Sequence, residues 1–381
     1  MANLNLTEGN KWTSASVYDT NREKTQEEIN AEQTGFDLYP TGNQDNRSTE
    51  IVACFNQKRV CRLAPGTYYV NNFIMRANSS LIGVGPATKL IFNDPEAWYA
   101  IRMRSNTTIA NLTLDGQADG TPLESYAGPD YVHGIRIGDN TTSNPSDTED
   151  YECTIENVII KNFTKGCGIF ARYSGQKSQG GGVFKNVRAE KCSVGFYLGE
   201  HAEYYTLIGC HANECYTGLV NIGGNNIVSG CVFGRNEIGI NMPGSDAYGT
   251  CQNAAHGIIT GCKITHCGTI TGTDGFGIKS EGQTGNMLFS GCMFGYPLYF
   301  RSRGRGLQFS GCTVKGLHSI TVDHCVVTML GTMFEDNEQD RPEEKPAVTI
   351  LNGGILRRRG CLAFDGTELK DVPEPEPENN G

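Results

Sequence analysis

The sequence reads as an all-β solenoid, because one small unit recurs between residues 157 and 239 with a glycine at a fixed place. Asn157-Val158, Asn186-Val187, Gly209-Cys210 and Gly230-Cys231 are followed, nine residues after the first member, by Gly166, Gly195, Gly218 and Gly239. Short apolar runs come next (Ile169-Phe170, Phe196-Tyr197-Leu198, Leu219-Val220, Ile240-Asn241-Met242), and the glycines step by 29, 23 and 21 residues. A unit of that length cannot bury its own apolar side and must stack on copies of itself. Forty-eight glycines, 14 prolines and only 19% charged residues suit short strands and tight turns.

Residues 1–36 are polar and carry a helical signal over 20–32, with Asp19 or Thr20 as N-cap. The apolar face of that segment is almost empty, which predicts a docking or capping role. Beyond a mixed stretch over 37–60, Leu63-Ala64-Pro65-Gly66-Thr67-Tyr68-Tyr69-Val70 is a Pro-Gly turn feeding a strand. Ser80–Gly85 and Lys89–Phe92 are short strands, and Asn106–Gly116 alternates polar and apolar residues. Polar insertions at 115–133, 139–152, 172–182, 242–256 and 268–274 become flanking loops, where binding usually resides. The unit resumes at Gly291-Cys292 and Gly311-Cys312, with Phe300 and Ile320 at the nine-residue position. The expected organisation is a segment 1–36, a solenoid 37–365 and a disordered, acidic, Pro-rich tail 366–381.

A net charge of −10 argues against a nucleic-acid partner. No run of 18 apolar residues exists, and the first residues carry no basic-then-apolar signal, so neither membrane insertion nor a secretion signal is expected. Fifteen cysteines would suggest disulfides in a secreted chain. However, Cys210, Cys231, Cys262, Cys292 and Cys312 all follow a glycine at one place in the repeat, as a column of small buried side chains would. The spacings Cys210-x4-Cys215 and Cys262-x4-Cys267 lack the tight pairs and nearby histidines of structural zinc sites, so no metal or other cofactor is expected.

Pro65-Gly66-Thr67-Tyr68, Asn78-Ser79-Ser80-Leu81-Ile82-Gly83-Val84-Gly85 and the 106–116 stretch resemble the opening turns of right-handed parallel β-helix proteins of the pectate-lyase-like superfamily. Many of those proteins carry a Gly-Asp-Gly-x-x-Asp-Asp-Thr segment just before; Gly42-Asn43-Gln44-Asp45-Asn46-Arg47-Ser48-Thr49 is a degenerate version. Val17–Asn30 is similar to a segment of bacteriophage appendages such as tail spikes, pre-neck appendages and head fibres. That resemblance implies a virion component, commonly a homotrimer, joined to other virion proteins through 1–36. It would be assembled in the host cytoplasm, released by lysis and active at the host cell surface, where the partner is polysaccharide.

Alignment of the units on the second glycine places one lateral turn of each in a strip. That strip contains Arg172, Tyr173, Glu200, His201, Glu203, Asp246, Glu281, Arg301 and Asp323. Candidate catalytic residues are Glu200, Glu203, Asp246 and Glu281. Glu200 and Asp246 stand two units apart, about 9.6 Å at roughly 4.8 Å per rung, which permits an inverting glycosidase pair at about 6.5–9.5 Å. Candidate sugar-binding residues are Arg172, Tyr173, His201, Tyr204, Tyr205, Tyr248 and Arg301, whose rings stack on sugars and whose polar ends bond hydroxyls. Thr273-Asp274-Gly275 is similar to part of the polygalacturonase motif, but the remainder of that motif is absent. His133, His201, His256, His266 and His324 have no nucleophile at a recognisable spacing and are expected at the surface or in turns. Three functions stay open: an appendage that binds host polysaccharide with or without cleaving it, a free polysaccharide hydrolase or lyase, and a non-catalytic virion decoration.

Overall fold

The computed structural model describes residues 18–19, 24–25 and 35–369, apart from 95, 125–130, 139–151, 173–178, 244–254, 273–274, 283–285, 296, 303–305, 316–319, 336–347 and 364–367. The chain coils so that strands of successive turns lie side by side in parallel. In the central turn, Val194–Leu198 leads to Ala202–Ile208 and His211–Asn213, after which Thr217–Asn221 pairs in parallel with Val194–Leu198. The first strand of each turn joins an 11-stranded sheet that runs from Phe73–Ile74 to Val348–Leu351. The other strands of the coil form a second parallel sheet, bent into two faces at the Gly-Cys corners.

Register explains why such short strands suffice. Phe73, Ile101, Ile135, Ile169, Phe196, Leu219, Ile240, Ile278, Leu298 and Ile320 stand directly above one another. All ten are buried in one core that extends from Leu38 to Cys361. Each such side chain contributes roughly 1.5–3 kcal/mol on burial, and no turn could bury its own without the next.

The corner between the two faces requires a left-handed backbone. Asn157, Asn186, Gly209 and Gly230 all have φ between 52 and 61°, a region that favours glycine and asparagine. Where asparagine occupies the corner its amide is used twice over: Asn186 Nδ2 donates to Asn157 Oδ1 and Asn157 Nδ2 to Asn111 Oδ1, both at 3.1 Å. One residue on, the expected cysteine column is present, with Cys210, Cys231, Cys262, Cys292 and Cys312 buried as free thiols. Backbone N–H groups bond the thiols of the next turn, Cys210 N to Cys231 Sγ at 3.3 Å and Cys231 N to Cys262 Sγ at 3.4 Å. Cys215 and Cys267 belong instead to the opposite corner, where the Cys215 N–H donates to Asn236 Oδ1 at 2.9 Å.

Three expectations need correction. The glycine in register with Gly195, Gly218 and Gly239 is Gly168, not Gly166. The nine-residue spacing fails where a turn lengthens, and likewise Leu298, not Phe300, stands level with Ile278 and Ile320. A Cβ on Gly195 would lie 2.7 Å from the Gly218 carbonyl oxygen, and one on Gly168 2.8 Å from that of Gly195. This column is therefore set by backbone approach between turns. Secondly, within the segment expected to be helical, Lys24–Thr25 pairs antiparallel with Tyr18–Asp19, and the rest of that segment lies outside the described residues. The one helix among the described residues, α1, is Ser48–Lys58. It has what the 20–32 segment lacks, an apolar face: Ile51 and Phe55 are buried against the first turn of the coil. Asn46 Oδ1 accepts from the N–H groups of Ser48 and Asn71, so the degenerate 42–49 segment ties the start of α1 to the first turn. Thirdly, of the expected tail 366–381, Glu368 and Leu369 are not disordered: Leu369 N–H donates to Cys361 O at 2.9 Å and its side chain packs against the core, while the rest lies outside the described residues.

Candidate functional site

Among the described residues, the strip runs along the ends of strands of the 11-stranded sheet: Glu281, Arg301 and Asp323 are strand residues, and Arg172 and Glu200 lie within two residues beyond theirs. Arg172 is level with Gly199, and Glu281, Arg301 and Asp323 are level with one another three turns and more further along. The turn over 199–201 is held by Gly199 N–H to Ala171 O at 2.8 Å and Ala202 N–H to Gly199 O at 3.1 Å. His201 and Tyr204 take left-handed backbone, φ 57 and 61°, and Tyr204 is 57% exposed. Buried Asn226 fixes the following strand, accepting from the Tyr205 N–H at 2.9 Å and donating to Ala202 O and Asn221 Oδ1.

Glu200 is largely enclosed, more so than Glu281. Its Oε2 accepts from Arg172 at 3.0 Å, while Oε1 is buried with no hydrogen-bond partner, and the side chain is 13% exposed. Glu203 accepts from exposed Asn225 at 3.3 Å. Glu281 pairs with Lys279 at 3.2 Å. Three turns separate it from Glu200, about 14 Å at roughly 4.8 Å per rung, which is beyond the span of a glycosidase pair. Asp246, Tyr173 and Tyr248 lie outside the described residues, as does Asp274.

Arg301 approaches Asp323 at 3.6 Å, and Asp323 also meets His324 Nδ1 at 2.7 Å and Asn352 Nδ2 at 2.8 Å. Burial by itself would raise the Asp323 carboxyl, but Asn352, His324 and Arg301 outweigh it and hold it below its ordinary value.

Two residues sit where the sequence did not place them. Tyr205 is fully buried and packs on Phe184 at 5.3 Å, so its ring belongs to the core and not to a sugar-stacking surface. The alternation along Ala202–Ile208 turns it inward. His133 is not at the surface. Its ring stacks on Phe170 at 4.2 Å, Phe170 stacks on Tyr197 at 4.7 Å, and Nδ1 accepts from the Cys167 N–H at 3.1 Å. Burial, with the Arg136 charge nearby, pushes the imidazole down to about 3, which keeps it neutral.

Sequence reasoning also missed a second groove on the opposite lateral edge. It is lined by Lys191, Glu214, Arg235 and His266 between the loops Gly120–Pro122 and Thr269–Ile270. The available signal was five consecutive corner positions, Asn162, Lys191, Glu214, Arg235 and His266, of which four carry ionisable side chains.

No protein family matches the sequence, and no curated protein matches it. Solved structures do resemble the fold. A variant of the tailspike protein of Escherichia coli bacteriophage HK620, in complex with a hexasaccharide, superposes with a TM-score of 0.57 at 10% identity, covering 93% of this chain and 71% of that one. The catalytic domain of a GH87 α-1,3-glucanase in complex with nigerose gives 0.50 at 12% identity, covering 86% and 69%. The A-module of an Azotobacter vinelandii mannuronan C-5 epimerase gives 0.48 at 14%, covering 86% and 90%. The fold is thus a right-handed parallel β-helix. At these identities the likeness establishes architecture, and the chemistry has to be argued from this chain's own residues.

Proposed function

We propose that the chain is a bacteriophage appendage whose β-helix binds host-surface polysaccharide along the strip from Arg172 to Arg301. The carrying observation is the strip itself. Charged groups stand in adjacent turns at two places along it, Arg172 with Glu200 and then Glu281, Arg301 and Asp323, with an exposed tyrosine, Tyr204, beside the first group to stack on a sugar face. The HK620 tailspike variant and the glucanase catalytic domain, which share the fold, are in complex with a hexasaccharide and with nigerose. Residues 1–36 attach the protein to the virion, and three copies form the appendage. Light scattering should return about three times the 41.4 kDa chain mass. Purified protein should adsorb to host cells and compete with virions; no adsorption by the assembled protein would sink this reading.

A second reading, cleavage of the bound chain, is favoured by Glu200. Its carboxylate is held at the strip by Arg172, which donates to Oε2 at 3.0 Å, and this makes it the candidate acid–base group. Asp246, two repeats further along the sequence, is the proposed partner carboxylate. Reducing ends or unsaturated sugars released from capsular polymer should fall at least 100-fold in Glu200→Gln, with adsorption retained. Equal rates in the variant would remove Glu200 from the chemistry.

A further inference from the structure

The groove on the opposite edge has a volume of about 470 Å³ and is built, not incidental. Its floor is a ladder of corner residues from successive turns, Lys191, Glu214, Arg235 and His266. All four are left-handed, φ 51, 56, 56 and 54°. At the Gly-Cys corner the same backbone conformation is met by asparagine or glycine, the residues that accept it most easily. Here the sequence places long ionisable side chains in it, and strain of that kind gathers at functional positions. The cations are loosely engaged: Lys191 and Arg235 each approach Glu214 only at 3.9 Å, and their side chains are 56% and 67% exposed.

Both walls are fastened to the coil by buried groups. Glu237, itself 4% exposed, accepts from Ile270 N–H at 3.2 Å, Thr271 N–H at 3.0 Å and Thr271 Oγ1 at 2.7 Å, which fixes the 269–271 wall. Ser193 Oγ donates to Leu123 O at 2.5 Å, and the Leu123 N–H donates to Thr164 O at 2.9 Å, which fixes the 120–123 wall.

From this geometry we infer that the groove is a second glycan subsite, selective for a sugar bearing a carboxylate. Lys191 and Arg235 reach the acid group, Glu214 accepts from ring hydroxyls, and exposed Thr121 and Thr269 bond the remaining hydroxyls. The inference rests on the polysaccharide-binding reading above and adds the charge class of the ligand. A nucleic acid is disfavoured, because two cations beside a carboxylate on a chain of net charge −10 do not make a phosphate track.

The test titrates the intact protein with hexa-galacturonate and with a neutral hexa-glucoside at fixed ionic strength. The expected result is at least fivefold tighter binding of the acid oligomer. That preference should be lost in the double variant Lys191→Gln, Arg235→Gln and in the single variant Arg235→Gly. Arg235→Gly relieves the left-handed strain, so its melting temperature should hold or rise while affinity falls, which separates lost binding from lost folding. A smaller preference in the wild type, or its retention in either variant, overturns the inference. Adsorption to host cells together with equal affinities would leave the polysaccharide reading standing and remove this subsite alone.

Discussion

At the scale of single residues, the molecule uses conformational exceptions for regular purposes. Gly230 has φ 61° and no heavy atom within 4 Å of an added Cβ, so a substitution there tests backbone conformation alone. Gly230→Ala should lose about 1 kcal/mol or more, and Gly230→Asn clearly less, as read from denaturant midpoints. Gly195→Ala should lose more, about 1–3 kcal/mol, because its Cβ meets a carbonyl oxygen and Ala212 at 2.7 Å. Asp323 supplies a pH dependence. Its carboxyl is held below the ordinary value of about 3.9, so it adds stability above that value. The contribution disappears as pH falls through the lowered folded value. Melting temperatures between about pH 6 and pH 2 should therefore drop less steeply in Asp323→Asn than in the parent.

At the scale of elements, legibility follows the periodicity of the contacts. The Gly-Cys corner could be read directly, since a left-handed position and a small buried neighbour both restrict residue type in every turn. The strand that follows could not be registered by counting. The count from corner to strand is nine residues to Gly195, Gly218 and Gly239 but eleven to Gly168, and only hydrogen bonding to the neighbouring turn sets the level. Helix α1 escaped notice because Ile51-Val52-Ala53-Cys54-Phe55 is one short apolar run, which periodicity alone assigns to neither helix nor strand. The 20–32 segment had helix-favouring residues and no face to bury, and propensity alone is a weak guide. Tyr205 illustrates the same limit. Adjacent tyrosines 204 and 205 look alike in the sequence, and strand alternation sends one outward and the other into the core.

At the scale of the whole molecule, stability is distributed along the axis. The core passes unbroken from Leu38 to Cys361, and each turn contacts chiefly its neighbours. The first turn is covered by α1, whereas the strand Val348–Leu351 at the far end of the 11-stranded sheet is only partly buried. Hydrogen exchange should be slowest over the strands from His133–Ile137 to Ile238–Met242, all nearly enclosed, and fastest over 348–363. Uniform protection along the axis would contradict that gradient.

The sequence by itself determined the solenoid, its all-β character, the corner chemistry and the burial of the cysteine column, because these depend on features repeated in every turn. Only the tertiary structure decided which side chains meet. It paired Arg172 with Glu200, put three turns between Glu200 and Glu281, folded His133 inward, and gathered Lys191, Glu214, Arg235 and His266 into one groove. Insertions of unequal length separate these residues irregularly along the chain, and stacking at roughly 4.8 Å removes that irregularity.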